Sequence, residues 1–185
     1  MTQVIPKRRR LEGITDYQAR RNMLKSGRAR VVFRKTNKYI IGQVIVSEEA
    51  ADRVIESVTS KELLGKGWPE NKEGSLKSLP AAYLTGLMLG KNSQTKKITS
   101  AILDIGLNRN IAKSRIYAFA NGIVDSGLEM PVSEKMFPEK ARIDGEQIKM
   151  SKEIKTIKEK IQSSDGTRAP KAKETKTKNK SEAKK

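Results

Sequence analysis

Alternating hydrophobic and polar positions predict a β-hairpin near the start of the chain. Residues 29–36 and 39–47 are rich in Val, Ile, Phe and Tyr, and the polar loop between them is short enough for antiparallel pairing. A third strand is predicted over 52–60, where Val54 and Val58 share one face. Consecutive strands therefore begin the folded part of the chain.

Helices are predicted where apolar residues recur every three or four positions. A short helix is expected over 15–27, a second over 79–90 and a third over 112–127. Two glycines of the second helix, Gly86 and Gly90, would allow it to lie close to a sheet.

The run 101–107, between the last two helices, is almost entirely apolar. Such a run is typical of a central strand that is covered on both faces. Strands followed by a helix, a strand and another helix predict an α/β fold, with a mixed β-sheet packed by helices.

Positive charge is concentrated at the two ends of the chain. The net charge of +18 divides into +10 over residues 1–38, +1 over 39–145 and +7 over 146–185. A nearly neutral core with two basic ends favours a polyanionic partner, most often nucleic acid.

Pattern and charge together predict four segments. They are a basic arm suited to nucleic acid with a short helix at 1–27, an α/β core domain at 28–145, an amphipathic basic helix at 146–162 and a Lys-rich tail at 163–185. We expect the helix either to dock on another element or to form only on its target. The tail contains no large apolar residue and should be disordered alone.

Composition excludes several classes of function. The chain has no Cys and no His, which removes disulfides, thiolate metal sites and the usual general base. No apolar run reaches the roughly 18 residues of a membrane span, and the N-terminus lacks the apolar stretch of a secretory signal. We therefore expect a soluble cytoplasmic protein with no cofactor, no metal, no membrane partner and no small-molecule substrate.

Two stretches imitate catalytic motifs. Residues 86–92 resemble a phosphate-binding loop, but the glycine spacing is one residue short and the stretch closes a helix instead of opening one. Asp104, Asp125 and Asp144 would suit a two-metal site, yet no pattern places a second carboxylate beside Asp104. The simpler prediction for Asp104 is a buried acid that caps a loop or pairs with a nearby base, and we expect no enzyme activity.

The loop of the predicted hairpin gathers three positive charges and no acid. Arg34, Lys35 and Lys38 would be fixed there at spacings that can match the phosphates of RNA. The neighbouring Asn37 and Gln43 suit 2′-hydroxyl groups or base edges. The hairpin is therefore the first candidate for an RNA anchor.

The other candidate RNA-binding residues are mostly basic as well. Tyr39 can stack on an exposed base, but aromatic residues make up only 4% of the chain, so phosphate contact should dominate. For the helix over 15–27 the alternative is a surface helix with solvated arginines. The full candidate set is Lys7, Arg8, Arg9, Arg10, Tyr17, Arg20, Arg21, Lys25, Arg28, Arg30, Arg34, Lys35, Asn37, Lys38, Tyr39, Gln43, Arg109, Lys113 and Arg115.

Four blocks of the chain resemble one ribosomal protein family. They are TDYQARRNMLKSGRARVVFRKTNKYIIGQVI, LPAAYLTGLMLG, AILDIGLN and FANGIVDSGLEMP. In this order they are similar to the archaeal and eukaryotic branch of the large-subunit ribosomal protein that binds 5S ribosomal RNA, family eighteen in the universal naming. The similarity runs from about Lys7 to Ile148, and beyond it the chain resembles the family only in being basic.

This resemblance implies a translational-machinery fold with ribonuclease H-like topology and without catalysis. It also implies a place in the central protuberance of the large subunit, beside 5S rRNA, 23S rRNA and a second 5S-binding protein. From the residues alone, the alternative is a free architectural nucleic-acid-binding protein or an RNA chaperone. Either would explain the charge, but neither calls for a balanced α/β core.

Overall fold

The computed structural model describes residues 5–6, 8–48 and 51–163. In these ranges the sheet has four strands, β1 (Ala29–Lys35), β2 (Ile40–Glu48), β3 (Ala51–Thr59) and β4 (Ala101–Asp104). Their order is β3-β2-β1-β4, with β1 antiparallel to β2, β2 antiparallel to β3, and β1 parallel to β4. The predicted hairpin and mixed sheet are confirmed, and the ribonuclease H-like topology stays a prediction.

Within the same ranges, six α-helices accompany the sheet. They are α1 (Arg8–Leu11), α2 (Tyr17–Leu24), α3 (Leu79–Thr95), α4 (Arg115–Asp125), α5 (Lys140–Ile143) and α6 (Ser151–Ser163). Short 3-10 helices cover Ser60–Lys66, Glu70–Ser75, Glu134–Met136 and Glu146–Ile148. Asp16, just before α2, caps the start of the helix, because its carboxylate accepts from the N–H groups of Gln18 and Ala19 over 2.9 and 3.0 Å.

The core forms between one face of the sheet and the helices α3 and α4. Val31 and Phe33 of β1 are buried on this face, and the ring of Phe33 lies 5.3 Å from that of Phe119 in α4. Because side chains alternate along a strand, Arg30 and Val32 lie on the opposite face, and they are buried as well. The basic residue Arg30 is therefore inside the protein.

Helices α3 and α4 lie side by side and run in the same direction. Gly86 lies against the backbone of Phe119, and Gly90, about one turn later, lies against Ser126. A Cβ atom would overlap the backbone of α4 at Gly86, and at Gly90 it would overlap Ser126, the residue that follows α4. These glycines thus allow two helices to approach each other closely, which corrects the expectation that they face the sheet.

Strand β4 lies at the side of the sheet, which corrects the central strand predicted over 101–107. No further strand pairs with its outer side in the described part of the chain. One isolated parallel bridge, between Ser100 and Glu129, lies just before the strand. The strand ends at Asp104, and Leu107 is 57% exposed. The apolar run is therefore a short strand followed by an exposed loop.

A β-bulge in β3 changes the predicted face of Val54. The pairing with β2 skips Ile55, because Glu56 and Val54 oppose consecutive residues of β2. Val54 consequently lies on the face opposite to Val58 and is 48% exposed. A period-two pattern cannot show such an insertion.

Helix α6 docks on the core of the same domain. The three isoleucines of its apolar stripe are each 1% exposed and belong to the central cluster: Ile154, Ile157 and Ile161. The helix packs against α3 and against the 3-10 helix Ser60–Lys66. Of the two outcomes expected for the helix at 146–162, the structure has the docked one.

The described residues contain neither a membrane-spanning helix nor a carboxylate cluster for a metal. No helix among them combines the length and apolar character needed to cross a bilayer. No three Asp or Glu side chains of this part of the chain meet at one point.

Candidate nucleic-acid interface

The tip of the β1–β2 hairpin is fixed by short hydrogen bonds. The N–H of Thr36 donates to the carbonyl of Tyr39 over 2.9 Å, and the N–H of Tyr39 donates to the hydroxyl of Thr36 over 2.9 Å. Asn37 and Lys38 therefore form the tip. The ammonium group of Lys77, just before α3, donates to the carbonyl of Asn37 over 3.1 Å and supports the tip from the side.

Three cations at this tip are exposed and carry no partner acid. Arg34, Lys35 and Lys38 take part in none of the ion pairs formed among the described residues. A phosphate that binds there displaces no carboxylate. The hairpin thus presents charge on a fixed backbone, as a polyanion-binding surface requires.

The basic arm lies beside the hairpin. Nε of Arg9 donates to the hydroxyl of Thr15 over 2.9 Å, and Arg8 pairs with Glu12 at 3.6 Å. A groove of about 450 Å³ separates α2 from the ends of β1 and β4. Its basic lining comes from the arm, α2 and the hairpin: Arg9, Arg20, Arg34 and Lys35. The candidate residue Lys7 and the tail at 164–185 lie outside the described residues.

The outer face of α2 continues this basic surface. One shallow depression is lined by a run of α2 side chains: Tyr17, Arg20, Arg21, Leu24 and Lys25. This confirms that the aromatic and arginine side chains share a face, as the helical spacing predicts. Further exposed cations of the candidate set flank the depression in sequence: Arg10 and Arg28.

Arg30 does not belong to this surface. Its side chain is 3% exposed, and its guanidinium donates to Asp52 over 2.8 Å, Asp104 over 3.0 Å and Ser47 over 3.3 Å. The prediction that Arg30 binds RNA is wrong, because two carboxylates hold it inside the protein. Asp104 also accepts from the N–H of Gly106 over 2.9 Å. The prediction that this acid caps a loop or pairs with a basic side chain is therefore confirmed on both counts.

Arg20 extends the same network to α2. Its Nη2 lies 2.6 Å from Oδ2 of Asp52. Burial raises the pKa of Asp52, but hydrogen bonds from Ser47, Arg20 and Arg30 outweigh burial and lower it from 3.8 to about 2. The pKa of Asp52 is lower in the folded protein than in the unfolded chain. The contribution of Asp52 to the free energy of unfolding is therefore fully present above the ordinary pKa of 3.8 and is lost as the pH falls through about 2.

Tyr39 and Gln43 are both half-buried beside the hairpin. The hydroxyl of Tyr39 donates to Glu73 over 2.8 Å, and this bond, together with burial and the charge of Glu73, raises the pKa of Tyr39. The Tyr39 ring packs partly against the core. Its stacking on a base, like the contact expected from Gln43, stays a prediction.

The last three candidate residues are placed differently from one another. Arg109 is exposed in the loop after β4 and follows Asn108, the last residue that lines the groove. Lys113 donates to Glu139 over 2.8 Å and thereby lowers the pKa of that carboxyl. Nη1 of Arg115 donates to the carbonyl of Lys77 over 3.0 Å, which places it beside the support of the hairpin tip.

Sequence patterns do not single out Lys77, although it contacts the hairpin. Its partner Asn37 is forty residues away, so no local periodicity signals the contact. Only the positive charge of Lys77 would have drawn attention to it.

Comparison with known proteins places the chain among archaeal ribosomal proteins. A family model described as "Ribosomal large subunit proteins 60S L5, and 50S L18" matches residues 2–99. Large ribosomal subunit protein uL18 of Methanothrix thermoacetophila is 43% identical over 145 residues, which are 78% of this chain and 83% of the relative. The uL18 protein of Korarchaeum cryptofilum is 45% identical over 141 residues, covering 76% and 70% of the two chains.

These matches agree with the blocks and the fold. The family model spans the arm, the hairpin, the third strand and the whole of α3. The alternative of a free architectural protein would not account for identities of 43% and 45% over most of the chain. The chain therefore belongs to the family of large-subunit ribosomal proteins that includes 60S L5 and 50S L18, a family of structural components and not of enzymes.

Proposed function

We propose that this protein binds 5S rRNA in the large ribosomal subunit and helps to attach it to 23S rRNA in the central protuberance. A second 5S-binding ribosomal protein is the expected neighbour. The observation that carries the proposal is the hairpin tip, where three exposed cations have no acid partner among the described residues and stand on a backbone fixed by Thr36 and Lys77.

The geometry suits duplex RNA. The deep, narrow major groove of RNA is closed to most side chains, so proteins bind its backbone shape and its unpaired bases. A fixed hairpin with a basic groove beside it supplies cations from several directions, which fits a curved phosphate backbone. The 5S specificity comes from the resemblance of the sequence blocks, and the charge arrangement supports RNA in general.

Binding of the full-length protein to 5S rRNA should depend steeply on salt. If at least six Lys or Arg side chains neutralise phosphates, log K against log salt should have a slope of about −4 or steeper. Titrations at several salt concentrations, with a structured RNA of equal length as competitor, measure slope and preference. A slope near −1, or equal affinity for the competitor, would contradict the proposal.

Removing charge from the hairpin should weaken RNA binding without unfolding the protein. Arg34→Ala or Lys38→Ala should each reduce affinity by about 1 kcal/mol and leave the melting temperature nearly unchanged, because exposed charges contribute little to folding. The matched control is Lys155→Ala, an exposed lysine on α6. Equal losses in all three variants would mean that net charge alone determines the affinity.

A further inference from the structure

The N-termini of α3 and α4 meet at one cavity of about 380 Å³. The two helices are parallel, and Arg115 at the start of α4 reaches the carbonyl of Lys77, just before α3, over 3.0 Å. The positive ends of two helix dipoles therefore lie side by side, an arrangement that is repulsive unless an anion lies between them. The N–H groups of both first turns have no acceptor within their own helix.

A serine precedes each of these helices, and its hydroxyl group makes no hydrogen bond with the described residues. Ser78 and Ser114 are the N-cap residues, yet neither side chain makes a capping hydrogen bond. Both hydroxyl oxygens are buried and have no partner among the described residues, and both serines line the cavity. Buried hydroxyl groups are nearly always hydrogen-bonded. Two buried hydroxyl groups without a partner beside one cavity therefore indicate that a ligand supplies the acceptor.

Three basic side chains complete the wall. Lys113, Arg115 and Arg142 line the cavity. Glu139 pairs with Lys113 over 2.8 Å, and Arg142 also lowers the pKa of that carboxyl. The residues that line the cavity include these three cations and no carboxylate, and two helix N-termini adjoin it, so the local field remains positive.

We propose that this cavity binds a phosphate group. Two serine hydroxyls, the first-turn N–H groups of Leu79 and Arg115, and the two arginine side chains supply donors from several directions. Such a set suits a tetrahedral oxyanion with several acceptor oxygens better than a planar carboxylate, because the donors surround the ligand.

We assign this phosphate group to the backbone of the bound RNA. The ammonium group of Lys77 supports the hairpin tip at Asn37, and its carbonyl accepts from Arg115 in the cavity wall. One residue thus joins the hairpin surface to the phosphate cavity. This assignment of the source rests on the proposed function, whereas the cavity itself would bind free phosphate equally well.

The phosphate cavity is tested on the full-length protein by amide NMR. Inorganic phosphate, compared with chloride at equal ionic strength, should cause saturable shifts of the amide signals of the lining residues Leu79 and Arg115. The Ser78→Ala/Ser114→Ala double variant should bind inorganic phosphate at least tenfold more weakly. It should still fold, because neither hydroxyl makes a hydrogen bond with any of the described residues.

Two single variants make the test independent of the serines. Arg142→Gln should weaken phosphate binding at least threefold, whereas Lys140→Gln, on the same short helix but outside the cavity wall, should not change it. Shifts no larger than those caused by chloride, or equal effects of the two variants, would overturn the phosphate site.

A second titration, with 5S rRNA, separates the two sources of phosphate. If an RNA phosphate fills the cavity, the double variant should lose about tenfold in RNA affinity, and inorganic phosphate should no longer shift these amides in the complex. Unchanged RNA affinity with a lost phosphate response would overturn the RNA source and leave a site for free phosphate. Failure of the unmodified protein to bind 5S rRNA would contradict the proposed function, and the phosphate titration would still decide the site.

Discussion

Replacing Gly122 by alanine should destabilise the protein by about 3 kcal/mol or more, an effect at the upper end of overpacking in a core. Gly122 lies on α4 against the backbone of α3, where an added Cβ would overlap the carbonyl oxygen of Tyr83 and come within 2.8 Å of the nitrogen of Leu87. Backbone atoms cannot rotate away as a side chain can. The two helices would have to separate, and the loss would appear in thermal or denaturant unfolding.

The matched control is Gly65→Ala. Gly65 lies in a 3-10 helix, and a Cβ atom there would meet nothing within 4 Å. Both substitutions reduce the freedom of the unfolded chain by the same amount, so their difference isolates the helix contact. Similar melting temperatures for the two variants would show that α3 and α4 do not depend on this close approach.

Replacing Arg30 by methionine should cost about 3–5 kcal/mol at neutral pH, because it leaves carboxylates without their buried cation. The guanidinium joins Asp52 and Asp104, whose side chains are 28% and 13% exposed. Solvent around Asp52 screens its charge once the cation is removed. Most of the loss in the free energy of unfolding should therefore come from the unpaired charge of Asp104. Urea unfolding at neutral pH measures the change.

The double variant Arg30→Met/Asp104→Asn tests the cause. It removes the unpaired charge together with the cation, and it should recover a large part of the lost stability while the amide keeps an acceptor for Gly106. A further control is RNA affinity, which should hardly change in Arg30→Met at temperatures where the variant is folded. A large loss of affinity in a folded variant would return Arg30 to the RNA-binding surface.

The local patterns of the sequence were sufficient for the hairpin, the main helices and the docking stripe of α6. Each of these depends on residues that lie close in the chain, such as the step from Ile154 to Ile157 and Ile161. The candidate surface followed in the same way, since Arg34, Lys35 and Lys38 stand in one short loop. Local spacing therefore determines which side chains share a face.

Features that depend on distant pairing could not be found in this way. Arg30 has the same charge as its neighbours, and its burial depends on acids in β3 and β4. The skipped residue Ile55 depends on the register with β2. The local pattern predicts that Gly86 packs on the sheet, whereas its partner is Phe119 of α4, a helix that follows much later in the chain. The buried hydroxyl groups of Ser78 and Ser114 in the phosphate cavity also depend on the packing of distant segments and could not be found from local spacing.

The docking of α6 has a consequence for the timing of folding during synthesis. The isoleucines of α6 cover part of the core formed by α3 and the 3-10 helix Ser60–Lys66, so these earlier elements leave the ribosome with apolar surface exposed. At about 5–20 residues per second, α6 is complete roughly 3–14 s after α3. During that interval the nascent domain needs protection from aggregation, and its hairpin cations are already available to any nearby polyanion. A protein of this kind reaches its stable state only after its RNA-binding surface has formed.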